Sequence, residues 1–167
     1  MRAGFDCGVE RLNNYLHRTA KKHQNEDLTR VYVALREGDD KILGYHAINM
    51  GSMDAHVLGR PLKNIPSHGQ TPIMFLGQIA VAISAQKKGL GSILLAHVFE
   101  KARVLADDAG CHAIVLDVMS DGEDEAFQKR MQWYRDRGFE GTPSSPSRMF
   151  ITMRDVRANL EAKQSAA

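Results

Sequence analysis

Apolar residues recur at Val9, Leu12, Leu16 and Ala20, the spacing of one helical face, and the pattern fades near Asn25. The period then changes. Val31, Val33 and Leu35 alternate within residues 29–35, and after a turn at Glu37, Gly38, Asp39 and Asp40 a second extended run covers residues 42–50, so a hairpin is predicted. Residues 51–71 interleave glycine, proline and polar residues with isolated apolar ones, a connection long enough to carry function or a short element of its own. Arg60, Lys63 and His68 lie there as residues able to meet a substrate or as an ordinary surface excursion. From Phe75 an apolar, β-branched run reads as a buried central strand ending near Ile83, followed by a polar connector and a helix that starts at Leu90 and repeats at Ile93, Leu94, Val98 and Leu105. Gly110 stops it, and residues 112–119 form another buried strand. Strand, helix and returning strand imply a parallel, right-handed crossover. Phe127, Met131 and Tyr134 mark one face of a further helix that ends at Gly138, and residues 148–153 close the chain as a strand after the turn Pro143, Ser144, Ser145, Pro146. The order predicts an α/β fold with a mixed central sheet flanked by helices, in a single domain over residues 1–167.

The connector before Leu90 carries chemistry. Gln86, Lys87, Lys88, Gly89, Leu90, Gly91 and Ser92 sit where a helix's first turn exposes backbone N–H groups. Those amides and the helix dipole favour an anion, and the missing side chains of Gly89 and Gly91 let a phosphate come close. An isolated Gly-x-Gly at a helix start is equally a tight strand-to-helix turn. No third glycine follows at dinucleotide-fingerprint spacing and no Gly-Lys-Ser/Thr ending is present, so neither a dinucleotide nor a Walker-type loop is read.

A chain of 167 residues, 43% hydrophobic, has room for one continuous core, and a net charge of +2 does not by itself imply a nucleic-acid binder. Its charge is local. The polar face of the first helix bears Arg11, Arg18, Lys21 and Lys22 with His17 and His23 between them, either a solvated face or a patch for a polyanionic substrate. Cys7 and Cys111 form neither metal spacing nor a disulfide framework, which suits a reducing cytoplasm. The acidic cluster Asp121, Glu123, Asp124 and Glu125 reads as helix capping and solubility rather than a metal site, and no metal is expected. No run approaches the ~18 apolar residues of a membrane span.

Gln86-x-x-Gly89-x-Gly91 between strand and helix resembles the acyl-CoA pyrophosphate loop of the GNAT superfamily of N-acetyltransferases. Tyr134-x-x-x-Gly138-Phe139 resembles the segment near the end of that domain whose tyrosine faces the sulfur of acetyl-CoA. The element order agrees over about two thirds of the chain. Within the superfamily the flanks are similar to the aminoacyl-tRNA-acetylating toxins of type II toxin-antitoxin modules: Phe5-Asp6-Cys7-Gly8 with Leu12-x-x-Tyr15-Leu16, then Gly44-Tyr45, residues 76–81, and Met149-Phe150-Ile151-Thr152-Met153. Two positions depart. That branch usually has arginine where Gln78 stands and aspartate where Ala82 stands.

The resemblance implies acetyl-CoA as co-substrate, held by the backbone of Ile79, Ala80 and Val81 and by the loop from Gln86 to Ser92, with Tyr134 protonating the departing thiolate after direct attack by an amine. It implies aminoacyl-tRNA as acceptor, with Arg18, Lys21, Lys22, Arg135 and Arg137 as candidate phosphate contacts, and a small ribbon-helix-helix antitoxin as partner; a homodimer is also compatible. An α-amine with pKa about 7.7 to 8.0 is far more neutral at pH 7 than a lysine near 10.4, and no histidine announces itself as a base. Against the tRNA toxin stand a GNAT enzyme for a small amine or protein N-terminus, and a catalytically silent acyl-CoA-binding module. The retained Tyr134 speaks against the last.

Overall fold

A computed structural model describes residues 2–38, 40–58, 69–120 and 124–165; Arg60, Lys63, His68, Asp121 and Glu123 lie outside the described residues. Six strands form a mixed sheet in the spatial order Arg30–Leu35, Ile42–Asp54, Gln70–Val81, Ala113–Asp117, Ser145–Thr152 and Glu140–Thr142. The chain divides into two compact units, Met1–Asn49 with Leu76–Phe99 and Met50–Phe75 with Glu100–Ala167.

In the first unit, α1 (Glu10–Asn14), a π-helical turn (Tyr15–Thr19) and α2 (Ala20–Asn25) precede the antiparallel pair β1 (Arg30–Leu35) and β2 (Ile42–Asp54). The predicted helix is present, but its pattern did not foretell the π turn. There the Leu12 carbonyl accepts the buried Tyr45 hydroxyl at 2.8 Å, a side chain entering the helical ladder where it loosens. Phe5 meets the Tyr45 ring edge-on at 5.4 Å, and Tyr15 stacks on it at 6.2 Å. Phe5, Leu16, Ala20, Ile42 and Ala80 complete this core.

The opposite face of β2 receives a helix. Gly44 points at α3 (Leu90–Asp108), where a built Cβ would lie 2.9 Å from Leu94 Cδ1 and 3.0 Å from the Ala80 carbonyl. On the same face His46, fully buried, is bonded to His97 at 2.8 Å, and Tyr32 stacks on it at 5.0 Å. Val33 and Leu35, which alternate with Val31 on one side of the strand, are 42% and 44% exposed. β1 is the sheet's edge strand, and of its alternating apolar residues Val31 is the one packed on the helical core.

In the second unit the parallel ladder between β3 (Gln70–Val81) and β4 (Ala113–Asp117) runs from Ile73↔Ala113 to Phe75↔Val115, as the crossover predicted. β4 pairs with β6 (Ser145–Thr152) antiparallel, its end locked by a two-pronged Arg148–Asp117 ion pair at 2.7 and 2.8 Å. α4 (Asp124–Arg135), β5 (Glu140–Thr142) and α5 (Met153–Ser165) complete it.

Several expectations are corrected. β2 extends to Asp54, a 3-10 turn follows at Ala55–Leu58, and β3 already begins at Gln70, so strand occupies both ends of the expected long connection. β3 ends at Val81 rather than near Ile83, because the Ile83 N–H turns to the Asp6 carbonyl at 2.9 Å. β5 and α5 were not anticipated. For α5 a local signal is present: Thr152 caps the helix start, its Oγ1 3.3 Å from the Asp155 N–H, while its hydroxyl donates to the Asp155 carboxylate at 2.5 Å. Among the described residues no helix is long and apolar enough to cross a membrane.

Gly44→Ala tests the close approach. Crowding Leu94 and the Ala80 carbonyl costs about 1–3 kcal/mol, of which reduced chain entropy offsets under about 1 kcal/mol. Urea unfolding is expected to show a lower midpoint at unchanged slope; an unchanged midpoint would mean α3 shifts freely.

Candidate active site

The Ala82 N–H donates to the Leu43 carbonyl at 2.8 Å, so the end of β3 is bonded to β2 through the even-numbered residues. Backbone groups alternate along a strand; Ile79 and Val81 therefore present theirs on the other edge, while the Ala80 side chain is buried. The 3-10 turn Ile83–Ala85 leads into a loop in which Lys87 has φ +58° and Gly89 φ +82°. A left-handed lysine is strained by roughly 1–2 kcal/mol, a cost that glycine escapes. The first helical bonds run from the Ser92 and Ile93 N–H groups to the Gly89 carbonyl at 3.0 and 3.3 Å, so the amides of Leu90 and Gly91 precede the ladder. A Cβ at Gly89 would meet nothing within 4 Å. That open space is what a phosphate needs.

The loop's side chains divide the work. The Gln86 amide donates to the Cys7 and Val81 carbonyls, both at 3.0 Å, and the Lys88 ammonium reaches the Ser84 carbonyl at 2.9 Å. Gln86 therefore shapes the loop through its side chain. Asp6 fixes the other end of this tie. It accepts the Gly8 N–H and Asn13 Nδ2 at 2.8 Å each, bonds that hold its carboxyl below the usual range. The Phe5-Asp6-Cys7-Gly8 segment is thus the anchor of the Gln86 loop.

Tyr134 lies in the second unit at the end of α4. The Phe139 N–H bonds to the Tyr134 carbonyl at 3.2 Å and the Gly138 N–H to the Arg135 carbonyl at 2.9 Å, while Gly138 has φ +89°. These are the two bonds of a Schellman cap, and the apolar contact that accompanies it is Tyr134 against Phe139, ring centroids 5.4 Å apart. The spacing Tyr-x-x-x-Gly-Phe is the cap itself. Trp133 forms a T-shaped pair with the same ring, centroids 5.0 Å apart. Although part of the tyrosine still reaches solvent, these dense surroundings push its phenol up to about 12, with Arg130 opposing the shift.

The structure gathers the basic candidates in two places. Arg18, Lys21 and Lys22, with Arg2, His17, Asn25 and Glu26, line an open cleft of about 390 Å³ on the first unit. Arg2 was not among the expected residues, since a terminal arginine carries no periodic signal. In the second unit Arg135 is exposed, and Arg137 folds over Trp133 with its guanidinium carbon 3.9 Å from the ring centroid. At the departing position Gln78 accepts a bond from Arg11 at 3.1 Å, so a guanidinium stands beside it after all. No sequence signal reveals a contact spanning 67 residues. Ala82 is buried and serves the strand through its N–H. Among the described residues no group of His, Cys, Asp or Glu is placed to hold a metal ion.

Gly89 leaves open space at the start of α3, and Tyr134 is held by a helix cap. The acetyltransferase (GNAT) family model matches residues 5–139, and the chain belongs to that family. It is 31% identical over 158 residues to the probable toxin TacT of Sinorhizobium fredii, covering 94% of this chain and 87% of that one. With the tRNA-acetylating toxin of Mycobacterium tuberculosis it shares 31% identity over 155 residues, 92% and 87% of the two chains. AtaT complexed with acetyl-methionyl-tRNAfMet superposes with a TM-score of 0.82 at 22% identity, over 95% of this chain and 91% of AtaT. A mutant of the same toxin, bound to the C-terminus of the antitoxin AtaR and acetyl-CoA, gives 0.76 at 20% identity over 93% and 88%. At these identities the structural likeness is one of fold.

The cap makes a prediction of its own. A Cβ at Gly138 would sit 3.3 Å from Ile151 Cδ1 in a left-handed backbone, so Gly138→Ala should lose about 1–2 kcal/mol. Thermal melting checks it: a variant as stable as wild type would mean that the Schellman geometry does not hold the Tyr134 turn.

Proposed function

We propose that the chain is a single N-acetyltransferase domain, a cytoplasmic toxin that moves the acetyl group of acetyl-CoA to the α-amine of aminoacyl-tRNA and is restrained by an antitoxin. The observation that carries this reading is 31% identity, over 92% of the chain, to a protein named as a tRNA-acetylating toxin. AtaT, of the same fold, is known with acetyl-CoA and antitoxin AtaR, and with acetyl-methionyl-tRNAfMet. The two compact units share β2, β3 and α3 as unbroken elements, which supports one domain.

The residues would act as follows. The amides opening α3, Leu90 and Gly91, bind the pyrophosphate, and Gly89 leaves it room, with Gln86 and Lys88 holding the loop in shape, Ser92 beginning the helix behind it, and Lys87 adding positive charge. The edge of β3 presented by Ile79 and Val81 accepts the pantetheine arm as an extra strand while Ala80 packs inward. The Val81 N–H polarises the thioester oxygen. The neutral amine then attacks the carbonyl carbon; the N–C bond forms, the C–S bond breaks, and Tyr134 gives its proton to sulfur, to be reprotonated from the proton the amine sheds.

Energetics limit the timing. Against a thiol near 8.5, a phenol at about 12 donates uphill by roughly 5 kcal/mol, so the proton moves as the C–S bond breaks and not to a free thiolate afterwards. Burial raises the thiol as well, which narrows the gap. At any pH well below 12 the phenol is in the acid form it needs.

Two outcomes are expected. Tyr134→Phe keeps acetyl-CoA affinity by calorimetry and lowers kcat ~10²- to 10⁴-fold, with no falling alkaline limb assignable to Tyr134 below about pH 11 in wild type. Wild-type turnover in that variant would assign the proton to water or another group. Neutralising Arg18, Lys21 and Lys22 together impairs acetylation of charged tRNA at low salt and matters less at high salt, where those contacts are already screened. Labelled acetyl-CoA incubated with bulk charged tRNA is the direct test. No label in the RNA, under conditions where a small amine is acetylated, would give the acceptor to the small-amine reading.

A further inference from the structure

We infer that Trp133 and Arg137 form a stacking platform for the unpaired base at the 3′ end of the RNA acceptor, an assignment that rests on the acceptor being aminoacyl-tRNA. Trp133 is the chain's single tryptophan, only partly buried, and immediately precedes Tyr134 on α4. Its ring and that of Tyr134 form a T-shaped pair, centroids 5.0 Å apart at 85°. Arg137 lies over the indole, guanidinium carbon 3.9 Å from the centroid, tethered by a 2.8 Å bond from Nη1 to the Trp133 carbonyl.

Helix termination does not require this pair. The cap bonds of Gly138 and Phe139 close the helix through the backbone, and Phe139 supplies the apolar contact. What the pair adds is a flat, positively charged aromatic surface fixed in one orientation, with the exposed Arg135 two residues on from Trp133. Unstacked bases are taken up on such surfaces, on indole faces and on guanidinium planes, without strict sequence preference. The aminoacyl ester sits on the terminal nucleotide. When its amine reacts beside Tyr134, the nearest base is therefore the unpaired terminal one, and Trp133 is the neighbouring side chain.

Because Trp133 is the only tryptophan, its fluorescence reports the platform without a label. The full chain is titrated with an uncharged RNA hairpin ending in an unpaired 3′ ACCA, and with the same hairpin made blunt. Saturable quenching by the first and markedly weaker quenching by the second is the expected result; no quenching, or equal quenching by both, overturns the platform. In steady-state kinetics Trp133→Ala should raise KM for charged tRNA about tenfold and Trp133→Phe about threefold, with KM for acetyl-CoA within about twofold of wild type. Should the alanine variant misfold, the phenylalanine variant and the wild-type titration decide. A chain quenched by the 3′ end that transfers no acetyl group to charged tRNA removes the acceptor reading and leaves the platform; one that acetylates charged tRNA with Trp133 unquenched removes the platform and leaves the acceptor.

Discussion

Two adjacent residues on β2 set both sides of the first unit. Gly44 has no side chain to hold α3 away, so Leu94 and Leu90 lie directly on the strand and fix where α3 begins. Tyr45, on the opposite face, is buried among Phe5, Tyr15 and the Leu12 carbonyl, and that hydroxyl bond opens the helix into its π turn. One dipeptide thus places the start of α3 and the N-terminal helices against the same strand. Burial of this phenol moves its pKa well above the usual tyrosine value, so it stays a neutral donor to a backbone carbonyl under all ordinary conditions.

The tyrosine of the second unit uses burial differently. Tyr134 is the last residue but one of α4 because the glycine and phenylalanine that follow it are the cap, and the cap's apolar contact is its own ring. Position and chemistry have one cause. The ring that closes the helix is desolvated by Phe139 and Trp133, and desolvation makes its phenol a weaker acid.

How much of this was legible follows from the range of each interaction. Helical spacing of Leu12, Leu16 and Ala20, the β-branched run before Val81 and the Gly110 stop are local, and each specified its element. The cap at Gly138 was legible as a helix end, since its bonds span at most five residues. The Thr152 cap of α5 is equally local, a threonine whose hydroxyl meets the backbone three residues on. Val33 and Leu35 share Val31's alternation yet are exposed, for a different reason. Strand alternation gives two faces but not which strand ends up at the sheet's edge, and that is decided by the pairing of every other strand.

The site's electrostatics belong to that non-local class. Gln86 was read as a phosphate ligand from its motif, yet its amide is engaged by the carbonyls of Cys7 and Val81. The departure at Gln78 removes a cation from β3, yet Arg11 from α1 brings one to the same place. In both cases the residue type at a motif position is a poor guide to the charge present there, because a neighbour distant in sequence supplies or consumes the hydrogen bond. A guanidinium donated from α1 also differs physically from one grown on the strand: its hold on Gln78 is an exposed neutral–charged bond, worth about 1.5–3 kcal/mol at most and able to swing away. Charge at that position is therefore conditional on the N-terminal helix being seated, and the same seating, through the Cys7 carbonyl, holds the loop that begins α3.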